Sequence, residues 1–221
     1  MSEPDRVREA YRHCEALVRA HDKDRYVAGL FAPAERRPYL FALYAFALEI
    51  ARVKTLVSEP LTGTIRLQWW LEAVDGLRAG EAAASPVMIA LQDAAQQSGV
   101  SLAPLTGAVE ARQAELHGSP AVGAAAAVFV MAARFLGCEG DGIAAAADAA
   151  ARAEIFITSE PQRARDAYAM FRKHVENVPE KALPAFLATA LVPLRLKHPE
   201  APQWRRQIAL LRTALFGFPK G

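Results

Sequence analysis

Few charged side chains in this chain are placed to do chemistry, and the best placed stand at the end of an apolar helix. Leu40, Phe41, Leu43, Tyr44, Phe46 and Leu48 cover almost the whole circumference of a predicted helix 38–57. Glu49, Arg52 and Lys54 follow in its last turns, shortly before Glu59. Glu49 and Arg52 are three apart and share a helix face, so they can close an intrahelical ion pair. Arg52 can instead present a planar fork to a phosphate or diphosphate. Asp22–Lys23–Asp24–Arg25–Tyr26 offers two carboxylates to a divalent cation, but no further ligand stands nearby. An aspartate at a helix start is far more often a cap. Asp148 and Arg152, four apart, read as an exposed ion pair. His13, His21, His117, His174 and His198 include no i,i+4 pair for zinc, and there is no nucleophile elbow, P-loop or Gly-x-Gly-x-x-Gly.

The elements that must position these groups are helices. Period-3.6 patterning dominates, with predicted helices at about 5–22, 38–57, 63–79, 86–98, 103–117, 121–137, 141–157, 161–177, 180–197 and 203–217. Helix 38–57, apolar nearly all round, is expected to be the most buried. Only Ile155–Phe156–Ile157–Thr158 has a strand-like composition, too short to make a sheet among helical neighbours. Pro38, Pro86, Pro104 and Pro161 sit where a first-turn proline loses no hydrogen bond. Pro184 and Pro193 fall inside a helical pattern and should kink or divide it. Pro60 and Gly63 read as a turn, and Trp69–Trp70 as large apolar area of which one ring anchors the core. The fold class is all-α, with about ten helices.

Bulk properties narrow the role. A chain of 221 residues, 52% hydrophobic, is long enough for one domain with a substantial core, read here as spanning 1–221. A net charge of +2 gives no support for a nucleic-acid partner. Cys14 and Cys138 are far apart and read as buried, idle thiols in a reducing compartment. The acidic, polar N-terminus reads as neither a secretory signal nor a transit peptide. The alanine-rich stretch from Gly118 to Ala133 is too weakly apolar to span a bilayer. A cytoplasmic location is expected, with any membrane contact peripheral, at the inner membrane.

The run Tyr44–Ala45–Phe46 through Thr55, followed by Ser58–Glu59–Pro60 and Arg66–Leu67–Gln68–Trp69–Trp70, resembles the first substrate-binding helix of the squalene/phytoene synthase family. In that family an Asp-Asp-x-x-Asp cluster on this helix holds magnesium ions that grip a prenyl diphosphate. Aligned on Tyr44–Ala45–Phe46, the three aspartates fall on Ala51, Arg52 and Thr55, none of them a carboxylate. Arg52 would repel a divalent ion: two unit charges at ~4 Å and a dielectric near 20 interact by about 4 kcal/mol, and a divalent ion roughly doubles this. The second aspartate cluster has as its nearest counterpart the segment from Asp141 to Glu154, which lacks the Gln-x-x-Asn and Arg-Asp-x-x-x-Asp pattern. The resemblance also implies a shortening near 155–163.

The Ser58–Glu59–Pro60 run, Leu183–Pro184–Ala185–Phe186–Leu187 and Leu191–Val192–Pro193–Leu194 are most similar to a branch of that family with degraded aspartate motifs. It includes a mitochondrial assembly factor of respiratory complex I and its bacterial relatives. The resemblance implies an isoprenoid-synthase-like bundle around a central apolar cavity. It further implies a vestigial substrate or anion site of Tyr26, Arg36, Tyr44, Glu49, Arg52, Gln68 and Trp69, with no catalytic residue, no bound metal and no other cofactor. The expected role is a non-catalytic one in complex I assembly, with complex I assembly proteins as partners. The alternatives are a divergent head-to-head prenyltransferase and a protein that holds an isoprenoid or quinone-like lipid. The last amphipathic helix, basic through Arg205, Arg206, Arg212 and Lys220, is expected either to dock on the core or to lie on an anionic membrane.

Overall fold

The computed structural model describes residues 2–57, 59–81, 83 and 85–218. Ser58 and Lys220, both used in the sequence reading, lie outside the described residues. Within them the regular structure is helical, with no strand. The helices are α1 (Glu3–His21), α2 (Lys23–Gly29), α3 (Arg37–Leu56), α4 (Pro60–Arg78), α5 (Pro86–Ser98), α6 (Pro104–Leu116), α7 (Val122–Phe135), α8 (Asp141–Ile155) and α9 (Pro161–Val175). After them come a 3-10 turn (Glu180–Ala182), α10 (Leu183–Phe186), a second 3-10 turn (Leu187–Leu191), α11 (Val192–Lys197) and α12 (Gln203–Phe216).

Prolines and caps set these boundaries. Pro38, Pro60, Pro86, Pro104, Pro161, Pro184 and Pro193 all lie in a first turn, where the missing N–H has no partner to lose. The expected helix 180–197 is divided at Pro184 and Pro193, as ring clashes with the preceding turn require. Pro60 and Gly63 do not form the expected turn: both belong to the first turn of α4. A Cβ at Gly63 would meet Leu116 Cδ1 at 2.7 Å, so a larger residue there requires the Leu116 side chain to shift. Ile155–Thr158 is the end of α8 and the turn beyond it.

α3 runs through the middle, contacted by α1, α2, α4, α5, α6 and α7. Its unbroken run Leu40–Phe46 is buried, and Phe46 meets Trp70 of α4 edge-on at 5.5 Å. Trp70 is thus the ring that anchors the core. α3 is not the most buried helix by share: it buries nine of its 20 residues, whereas the alanine-rich α7 buries eight of 14. Small side chains let neighbours close on α7 from several directions. Phe129 of α7 stacks on Phe186 of α10 at 5.3 Å, and Phe171 of α9 packs against Phe186 at 6.0 Å. α12 is held apart from this core, on a smaller cluster of Ala28, Leu187, Leu191 and Leu210.

Buried weak acids give the fold a pH limit. Burial pushes the Cys14 thiol up to about 12. Burial, then a 2.8 Å hydrogen bond that its hydroxyl donates to Asp93, raises Tyr11; burial also raises Tyr44. In the unfolded chain such groups ionise near pH ~8.5 for a thiol and ~10 for a phenol. The fold keeps them neutral, so their contribution is whole below ~pH 8.5 and falls as the pH rises through ~9 to 12. A urea midpoint that drops steadily over that alkaline range is expected; a flat one would contradict it.

Candidate functional site

The end of α3 carries the residues from which chemistry was expected. Arg52 Nη1 lies 3.5 Å from Glu49 Oε1, with both side chains part-exposed. The Thr55 hydroxyl donates to the Arg52 carbonyl at 2.9 Å, and Lys54 reaches across to Glu115 of α6 at 3.4 Å. A magnesium ion needs several hard oxygen donors in octahedral array. Ala51 supplies none, Thr55 only a neutral hydroxyl, and Arg52 a fixed cation. These residues do not fit the metal. Nor is there, among the described residues, a group of three or more His, Cys, Asp or Glu that could hold one.

An exposed i,i+3 pair contributes little, because water screens it and two long side chains lose freedom. Glu49→Gln should therefore lower stability by under ~1 kcal/mol. Denaturant midpoints of the variant and wild type test this, and a larger loss would mean the pair holds α3 in place.

Further inside, polar chemistry is concentrated on α2. Asp22 caps this helix by accepting from the Arg25 backbone N–H at 3.0 Å, as the sequence reading proposed. Tyr26 stacks on Phe41 at 5.3 Å, which fixes α2 against α3. One residue back, Arg25 then points between the helices. Its guanidinium donates to Asp22 at 3.1 Å and to Glu154, at the end of α8, at 3.0 Å. It also lies 6.0 Å from the centroid of the Tyr44 ring. Thr189 of the second 3-10 turn, fully buried, donates to the other Glu154 oxygen at 3.0 Å. Burial works against the Arg25 charge, but Glu154 and then Asp22 more than offset it, so its pKa is raised.

Asp24 is not a cap. It is 3% exposed and receives Arg195 of α11 at 2.6 Å, Arg206 of α12 at 2.8 Å and Gln203 at 3.3 Å. Three carboxylates (Asp22, Asp24, Glu154) thus face three guanidiniums (Arg25, Arg195, Arg206). Every member has a partner, so this is a lock joining α2, α8, α11 and α12. It does not present a free acid or base.

Of the seven residues expected to form one site, Glu49 and Arg52 pair with each other, and the others have their partners elsewhere. Tyr44 is buried in the core beside Arg25, while Glu49 and Arg52 pair at the part-exposed end of the same helix. Tyr26 lies over Phe41 with its hydroxyl 3.5 Å from Glu15, and Arg36 lies 5.9 Å from the Tyr39 ring. Gln68 bonds to Glu72 at 3.3 Å, and Trp69 sits edge-on to Trp70 on an exposed stripe with Leu61 and Ile65. α4 docks through Leu67, Trp70 and Val74, which turns Gln68 and Trp69 outward. Sequence reasoning missed Glu154, Thr189 and Arg195. The signal within reach was Arg25, a cation next to a predicted cap in an apolar setting.

Comparisons with known proteins agree with this frame. Residues 18–152 match the family described as squalene/phytoene synthase. The chain is 34% identical over 105 residues to "NADH dehydrogenase (ubiquinone) complex I, assembly factor 6" of Bos taurus, covering 48% of this chain and 32% of that protein. The Homo sapiens counterpart is 35% identical over 104 residues, 47% of this chain and 31% of that protein. The matched segment thus spans about a third of the length of these curated relatives. The crystal structure of a dehydrosqualene synthase in complex with ligand superposes with a TM-score of 0.74 at 13% identity, over 97% of this chain and 98% of that one. That likeness is one of fold.

Proposed function

This chain belongs to the squalene/phytoene synthase family, and from its altered site we propose that it is a non-catalytic member acting in the assembly of respiratory complex I. What supports the reading is the end of α3, where Ala51, Arg52 paired with Glu49, and Thr55 stand at the positions to which the family resemblance assigns metal-binding aspartates. Metal-assisted ionisation of a prenyl diphosphate needs an ion bound to the leaving diphosphate. Without donors this end of the helix contributes charge and packing. The likeness to assembly factors of complex I supports the same direction, and with it assembly proteins of that complex as partners.

The test is genetic. In the organism that carries it, deletion should lower the amount of assembled complex I on native gels, and the wild-type chain should restore it. Arg52→Ala should restore it equally, because a scaffold does not need that side chain. Normal assembly in the deletion strain would overturn the reading. So would a folded Arg52→Ala protein that fails to rescue, since that would restore a working role to the old site.

A further inference from the structure

The helix α12 has its most apolar face turned away from the protein. At about 100° per residue, Trp204, Ile208, Leu211 and Leu215 fall within roughly 60° of one another. They are 60%, 57%, 48% and 65% exposed. Arg206 and Leu210, on the opposite side, make the contact with the rest of the fold. The helix contains no acidic residue. Along one flank of the stripe an open groove of about 830 Å³ runs between α12 and α11. Its lining includes Pro193, Leu194 and Phe218, and Tyr168, Lys197, His198, Arg205 and Arg212 are the charged or titratable groups along it. No carboxylate lines it among the described residues.

We propose that this face is a docking surface for a membrane bearing anionic headgroups, independent of the assembly reading above. Charge complementarity selects the occupant. An apolar stripe flanked by cations with no counter-ion matches acyl chains beneath a layer of phosphate headgroups. Trp204 and Ile208 enter the acyl boundary, while Arg205, Arg212 and Lys197 stand at headgroup level. Contact is peripheral, since no described helix is long and apolar enough to cross a membrane. The Asp24 lock, by holding Arg206 and Gln203, fixes which side of α12 faces outward.

The test is flotation of the full chain with vesicles of phosphatidylcholine alone and of phosphatidylcholine mixed with phosphatidylglycerol. Binding is expected only with the mixed vesicles and is expected to weaken with salt. Each cation near such a surface contributes roughly fivefold in affinity, so Arg205→Glu with Arg212→Glu should cost more than tenfold. Ile208→Ser with Leu215→Ser should abolish flotation, while Leu61→Ser with Ile65→Ser on the exposed face of α4 should leave it unchanged. All these positions are exposed, so the variants should fold, which circular dichroism checks. Equal binding to both vesicles, no binding, or α12 variants that bind like wild type would overturn the proposal. So would a dimer in sedimentation equilibrium that Leu215→Ser disperses, because the stripe would then be covered by a second copy.

Discussion

Glu154→Ala is expected to lower the unfolding free energy by about 3 kcal/mol, the low end for removing one partner of a buried ion pair. The loss arises from what is left behind. Arg25, about three-quarters buried, would keep Asp22 but lose its 3.0 Å bond to Glu154, and the fully buried Thr189 hydroxyl would lose its acceptor. An unpaired donor in such surroundings costs its desolvation. Arg25→Met combined with Glu154→Leu should recover only part of the loss, since it removes the underpaired cation but leaves Thr189 without its acceptor and Asp22 without its guanidinium. Guanidinium unfolding with an unchanged m-value gives both numbers. A loss below ~1 kcal/mol for the single variant would show that the lock is not what joins α2 to α8.

Phe46→Ala is expected to cost about 3–5 kcal/mol, the range for truncating a buried aromatic that leaves a cavity. Phe46 is fully buried on α3 and holds Trp70 edge-on, so its loss frees the contact that seats α4. Phe41→Ala should fall in the same range, because Phe41 carries the stacked Tyr26 and thereby α2. A midpoint shift worth less than ~1 kcal/mol at both positions would place the core elsewhere. The two substitutions act on different neighbours and should nearly add.

How much of this was legible in the chain depended on the range of the interaction. The apolar circumference from Leu40 to Leu48 announced a central helix, and Pro184 and Pro193 announced a broken one; both are local signals. α2 was missed because seven residues make two turns, too short for a 3.6-residue period to register. Pro60 and Gly63 were read as a turn because proline opens a helix as readily as it ends one. The choice between Trp69 and Trp70 awaited the docking direction of α4, which no single helix carries. The lock was the least legible part. Arg25 and Glu154 are 129 positions apart, and Asp24 and Arg206 are 182 apart, so spacing could not pair them.

The family resemblance gathered Tyr26, Arg36, Tyr44, Glu49, Arg52, Gln68 and Trp69 into one substrate site. In the structure the Tyr44 ring lies beside Arg25, whose charge is met by Asp22 and Glu154, and Glu49 pairs with Arg52. The frame of an isoprenoid synthase is compatible with both a catalyst and a scaffold, because fold does not fix function. What separates them is the donor set at the end of α3.

The most direct measurement is turnover. Purified protein is incubated with magnesium and radiolabelled farnesyl or geranylgeranyl diphosphate, and the organic extract is resolved for hydrocarbon products. The account predicts no label in squalene, phytoene or their cyclopropyl intermediates above a boiled control. Label in any of them, at a rate that rises with protein concentration, would contradict it.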